Sequence, residues 1–152
     1  MKKLVSVMMA MIMVFSLGLS VDTKAADEPI CIDGSYLLDT DSSEVTVGSM
    51  TRGIYLKSGS CTLNKQGAGL IGAGGSTTGQ KTVDHIEVLV RVQRLVNGKW
   101  QYYTSWSASK ENSYYVSTSK VLSVPTGYYY RLSCTHYAGS DVTDSFTDGL
   151  YI

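Results

Sequence analysis

The sequence predicts an all-β protein, an antiparallel β-sandwich of immunoglobulin- or fibronectin-like layout behind a cleaved N-terminal signal peptide. Three observations carry that expectation. Ile86, Val88, Val90 and Val92 fall on one parity, and Glu87, Leu89, Arg91 and Gln93 on the other. This is the period of a strand whose two faces differ. Asn97-Gly98 separates that run from a second one ending at Trp106, and a type I′ hairpin turn favours this dipeptide because both central residues need positive φ. Beyond the N-terminal segment no apolar i, i+3, i+4, i+7 pattern lasts for a helix. Instead, some seven to nine short extended runs alternate with turn residues, the pattern of a sandwich.

Lys2 and Lys3 precede an apolar run over residues 4–19, and Thr23-Lys24-Ala25 places small residues at −3 and −1. This reads as a secretory signal cut after Ala25. The run is short for a membrane span, which needs about 20 apolar residues. No later stretch of the sequence is apolar enough to span, so no membrane attachment is expected once the signal is removed. Residues 26–152 are then expected to be one domain, secreted and extracellular or held non-covalently at the envelope.

The chain carries 13 basic and 13 acidic residues, and the predicted cut removes Lys2, Lys3, Lys24 and Asp22, for a mature net charge of −2. Nucleic-acid binding needs concentrated Lys and Arg to replace phosphate counterions, so that class is excluded. Cys31, Cys61 and Cys134 all lie in the mature chain. Export permits one bridge and leaves one cysteine over. Cys31–Cys134 is the favoured pair, because Cys134 shares the apolar parity of its strand; three unpaired buried cysteines are the alternative.

In order, a loose leader over 26–33 is followed by a short strand at 35–38 and a polar turn at 39–43, whose short side chains bond their own backbone. Strands follow at 44–50 and 52–57, with Ser58-Gly59-Ser60 as punctuation and extended chain to 65. Residues 66–80 hold Gly67, Gly69, Gly72, Gly74, Gly75 and Gly79. Gly67 to Gly72 matches G-x-G-x-x-G, but that fingerprint works only between a strand and a helix whose N-terminus meets a pyrophosphate. Glycine and threonine follow here, and no acidic residue stands about 20 positions on. The segment is read as a small-residue strand or pliable loop, and no cofactor is expected. Residues 107–113 read as a loop, 114–124 as a strand, and Pro125-Thr126-Gly127 as a turn. Residues 128–137 form a second strong strand, and 142–152 a last one kinked at Asp148-Gly149.

The pieces Arg52-Gly53-Ile54-Tyr55-Leu56, Val83-Asp84-His85-Ile86, Asn97-Gly98-Lys99-Trp100, Gly127-Tyr128-Tyr129-Tyr130-Arg131 and Thr147-Asp148-Gly149 resemble a family of small secreted Gram-positive bacterial proteins of unknown function. The family has no assigned activity, so the resemblance implies secretion and nothing catalytic. The run from Tyr130 to Gly139 is also similar to the penultimate strand of fibronectin type III-like modules.

A two-residue turn places Leu95 opposite Trp100, Gln93 opposite Tyr102, Arg91 opposite Thr104, Leu89 opposite Trp106 and Val92 opposite Tyr103. The valines and Tyr103 then face the core. The other face carries Trp100, Tyr102 and Trp106 among Arg91 and Gln93, a candidate platform for a glycan or cell-wall polymer. Flat rings stack on sugars, and an exposed aromatic patch marks a binding surface; a neighbouring strand covering those rings is the competing expectation. The eleven tyrosines, all in the mature chain, are compatible with such a surface. A catalytic role is not expected. Cys134 and His136, two apart on one strand face, are the residues a Cys/His-dependent hydrolase would use, yet no third orienting group can be placed. They supply only two of the ligands a metal needs, so no metal is expected either. A protein-interaction module pairing through an edge strand at 142–152 is the remaining alternative.

Overall fold

The computed structural model describes residues 28–48 and 53–152. The predicted signal peptide at 1–25 lies outside the described residues, as do the strand ends expected at 49–52. Nine strands follow one another: β1 (Cys31–Ile32), β2 (Ser35–Leu38), β3 (Ser42–Gly48), β4 (Leu56–Gly67), β5 (Leu70–Val96), β6 (Lys99–Ser123), β7 (Tyr129–Ala138), β8 (Asp141–Phe146) and β9 (Gly149–Tyr151). All belong to one curled sheet, a half-barrel.

The spine is β5, 27 residues long, paired with the 25-residue β6 along one edge. Its other edge changes partner part-way: Leu70 to Gly79 pair with β4, whereas Ile86 to Arg94 pair with β7. The ladder between β5 and β6 is irregular between Thr78 and Val83, where the sheet turns from one limb into the other. The first limb is β3-β4-β5-β6. The second is β6-β5-β7, with β8 and β9 successively along the far edge of β7. Pairing is antiparallel except between β9 and β2, which run parallel and make the sheet mixed. The expected purely antiparallel arrangement fails at that one pair. It fails for a topological reason, since β2, paired with β1 on one edge, joins the rest of the sheet beside the last strand. The edge expected at 142–152 is also corrected in part: β8 pairs with β7, but β9 lies inside the sheet between β7 and β2.

The two limbs face each other across the core. Leu63 and Ile71 from the first limb pack with Val88, Val90, Val92 and Leu132 from the second, all fully buried. A disulfide between Cys61 on β4 and Cys134 on β7 ties the limbs together, with Cα atoms 6.0 Å apart, an ordinary spacing for such a bond. The favoured Cys31–Cys134 pair is thereby overturned. Cys61 and Cys134 both point inward from facing strands, whereas Cys31 sits exposed and free on β1.

Asn97 and Gly98 take φ of 51° and 72°, the conformation a type I′ turn demands. The glycine-rich run resolves to the strand of its two expected forms, and the loop expected at 107–113 is strand instead. The glycine-rich run from 70 to 79 has a ladder partner on each edge. A Cβ at Gly74 would come within 2.9 Å of the Thr118 carbonyl oxygen, so glycine suits the close approach of β6. Residues 107–113 continue β6, with Asn112 absorbing the bend at φ 49°.

Candidate functional site

The outer face of the second limb is set by parity. Gln93 and Arg91 on β5, Arg131, Ser133 and Thr135 on β7, and Phe146 and Asp144 on β8 stand in register on the side away from the buried valines. Tyr102 on β6 pairs with Gln93, and Trp100 with Leu95. Trp100, Tyr102, Gln93 and Arg91 therefore share one face, as the alternation predicts.

Trp106 does not join them. The ladder shifts by one residue between Val92 and Gln93, so that Val92 pairs with Thr104, Arg91 with Ser105 and Val90 with Trp106. Tyr103 is the extra residue of a β-bulge, and a one-residue shift sends every later side chain to the other face. Trp106 packs half-buried against the core, donates Nε1–H to Thr118 Oγ1 at 3.1 Å, and lies under the Lys120 ammonium. Tyr103 meets the buried Tyr130 edge to face, with centroids 5.8 Å apart.

Trp100 is half-covered. Its Nε1–H donates to the Ile32 carbonyl at 3.0 Å, because the β1–β2 turn at Asp33-Gly34 folds over it. Its ring also closes on Gly149, where a Cβ would lie 2.7 Å from the indole. The Arg131 guanidinium stacks between Trp100 (4.6 Å) and Phe146 (5.2 Å). Arg131 Nε donates to Gln93 Oε1 at 2.8 Å, and Nη1 donates to the Asp33 carbonyl and to Ser35 Oγ, both at 2.9 Å. Burial pulls its pKa down, and the Asp33 charge opposes that. Arg131 and Phe146 escaped the sequence reading. The alternation of β7 placed Arg131 opposite the apolar parity, but nothing local showed which aromatic rings would flank it.

Arg91 Nη1 donates to Thr135 Oγ1 at 3.0 Å, and that hydroxyl donates onward to Asp144 Oδ1 at 2.6 Å. Tyr102 stands 66 % exposed, its hydroxyl 3.1 Å from Ser105 Oγ. Phe146 is 46 % exposed. Farther along the limb, His85 lies between Glu111 (2.8 Å) and Glu87 (3.4 Å), and these hydrogen bonds raise its pKa.

Cys134 and His136 lie on the inner face, both fully buried. The sulfur of Cys134 is bound to Cys61, so no thiolate is present. Thr77 Oγ1 donates to the Glu87 carbonyl, and its single proton is thereby used. His136 Nδ1 must then be the donor to Thr77 at 3.0 Å, and Nε2 the acceptor from Ser145 Oγ at 2.8 Å. The ring is neutral, and burial lowers its pKa to about 4. Among the described residues no cluster of three or more His, Cys, Asp or Glu side chains is placed to hold a metal ion.

No family model matches the chain, and no curated protein matches it either. Among solved structures it is similar to the sporulation control protein Spo0M from Bacillus subtilis, at a TM-score of 0.35 and 10 % identity. That alignment covers 74 % of this chain and 49 % of Spo0M, so the chain spans about half that protein's length.

Proposed function

We propose that this chain is a secreted, non-enzymatic extracellular module that binds glycan or cell-wall polymer on the outer face of the second limb. The observation that carries the reading is the grouping of Tyr102, Trp100 and Phe146 around Arg91, Gln93 and Arg131 on a single sheet face. Half-exposed rings offer stacking surface, and the polar groups between them fix orientation. Trp106 is no part of this surface. The buried Cys61–Cys134 bridge favours an oxidising compartment, in keeping with the basic and apolar N-terminus. The same bridge uses up the sulfur that a Cys134–His136 hydrolase would need. Two limbs packed about a bridge also favour reading the curl as a sandwich of immunoglobulin or fibronectin kind, with β5 and β6 common to both layers.

The test is retention of residues 26–152 on insoluble cell-wall polysaccharides. The wild-type chain is expected to be retained, and a Tyr102→Ala, Phe146→Ala double variant to pass through while keeping its melting temperature. A correctly folded wild-type chain that no polysaccharide retains would overturn the reading.

A further inference from the structure

Arg131 as a residue is only 5 % exposed, yet its guanidinium makes no hydrogen bond to a carboxylate. Its three hydrogen bonds go to an amide oxygen, a backbone carbonyl and a hydroxyl, all from Nε and Nη1. Nη2 has no acceptor among the described residues. No side-chain nitrogen or oxygen shut off from solvent there lacks a partner, so Nη2 keeps a solvent-accessible edge on a guanidinium flanked by the rings of Trp100 and Phe146. Two residues along β7 on the same face, the Ser133 hydroxyl likewise has no acceptor or donor among the described side chains, although Ser133 is only 6 % exposed. Ser133 stands beside Arg91 on one neighbouring strand and Phe146 on the other.

A buried cation that keeps an open donor edge is half of a charge-assisted pair. The missing half has to be an oxyanion that fits between two aromatic rings. We propose that Arg131 Nη2, with the Ser133 hydroxyl, is the anchor for a carboxylate on a sugar ring. The polymer held on this face is then an acidic one of the uronic-acid class. The inference rests on the polysaccharide reading above and narrows it. The ring of such a sugar stacks on Phe146 or Trp100 while its carboxylate meets the guanidinium. The carboxyl of Asp33, whose charge acts on Arg131, is the competitor that an incoming anion has to outmatch.

The test compares a galacturonic-acid oligosaccharide with the neutral galactose oligosaccharide of equal length, by titration calorimetry on residues 26–152 at low salt. The acidic probe is expected to bind at least about tenfold tighter, the scale of one hydrogen bond to a charged group, and to weaken as salt is added. Arg131→Gln also cuts the ties to Asp33 and Ser35, so it risks the fold. Ser133→Asp is the informative variant, because it presents a carboxylate to Arg131 from within and has Arg91 beside it. It is expected to abolish the preference for the acidic probe, with near-UV circular dichroism checking that the variant is folded; a folded variant that keeps the preference overturns the assignment. Equal binding of both probes overturns this inference and leaves the polysaccharide reading standing. Tighter binding of a glycerol-phosphate polymer than of galacturonate overturns the carboxylate assignment in favour of phosphate. If neither sugar probe nor the phosphate polymer binds, both readings fall together.

Discussion

The two limbs are made from the same pair of strands and present opposite characters to solvent. On the first limb the outer positions of β4 and β5 are Ser60, Thr62 and Asn64 beside Gly72, Gly74 and Ser76, a flat surface of small polar groups and bare backbone. On the second, β5 and β6 carry Arg91, Gln93, Trp100 and Tyr102 on their outer side. The inner faces differ much less, both being lined by aliphatic side chains. The core therefore needs only alternation, which glycine, serine and threonine on the outer parity do not disturb. Distinct chemistry is confined to the outer face of one limb.

The largest expected effect comes from separating the limbs. Cys61→Ser or Cys134→Ser opens a bridge spanning 73 residues, which should cost about 2–5 kcal/mol in urea unfolding. A loss near zero would show that the limbs hold together without it. Next comes acid. His136 is neutral and buried in the fold, so the unfolded chain binds the extra proton below pH 6.5 and stability should fall as pH drops toward 4. The full shift corresponds to about 3 kcal/mol. NMR titration of the imidazole should read about 4 for His136. His85, on the outer face, should titrate above its usual 6.5, so its small contribution is present at low pH and disappears as pH rises. A smaller effect is expected of Gly59→Ala, whose Cβ would overlap the His136 ring; overpacking of this kind costs about 1–3 kcal/mol. The smallest is Tyr102→Ala. This exposed side chain should change stability by less than about 0.5 kcal/mol while reducing polysaccharide retention, and a large drop in melting temperature would make it structural instead.

That contrast also explains what could be read in advance. The second limb was legible because β-branched alternation, the Asn97-Gly98 turn and the strong 128–137 run are local signals. In the first limb the strands around 44–50 and 114–124 were legible too, but the glycine run was left between strand and loop, because Gly72, Gly74 and Gly75 are strand only by virtue of ladder partners on either side. In the second limb residues 107–113 read as a loop, because they are strand only through pairing with 83–89. Of the candidate site, four of five residues were placed on the correct face. Trp106 was misplaced because nothing in the order of residues 99–106 distinguishes an uninterrupted ladder from one with an inserted residue at Tyr103. Arg131 was invisible as a site residue because its significance depends on the β1–β2 turn and on β8, both distant in sequence.

The bulge at Tyr103 works as a phase step in the β6 ladder. Upstream of it the exposed side carries Trp100 and Tyr102; downstream, the sheltered side receives Trp106, Ala108 and eventually Val116. Pairing the same residues in an uninterrupted ladder would leave the composition unchanged, yet it would turn the next stretch of strand inside out, with Ser105 against Val90 and an indole in water. Deleting Tyr103 would instead iron out the bulge and leave Trp106 opposite Val90, so one surplus residue decides which side of the sheet the indole joins.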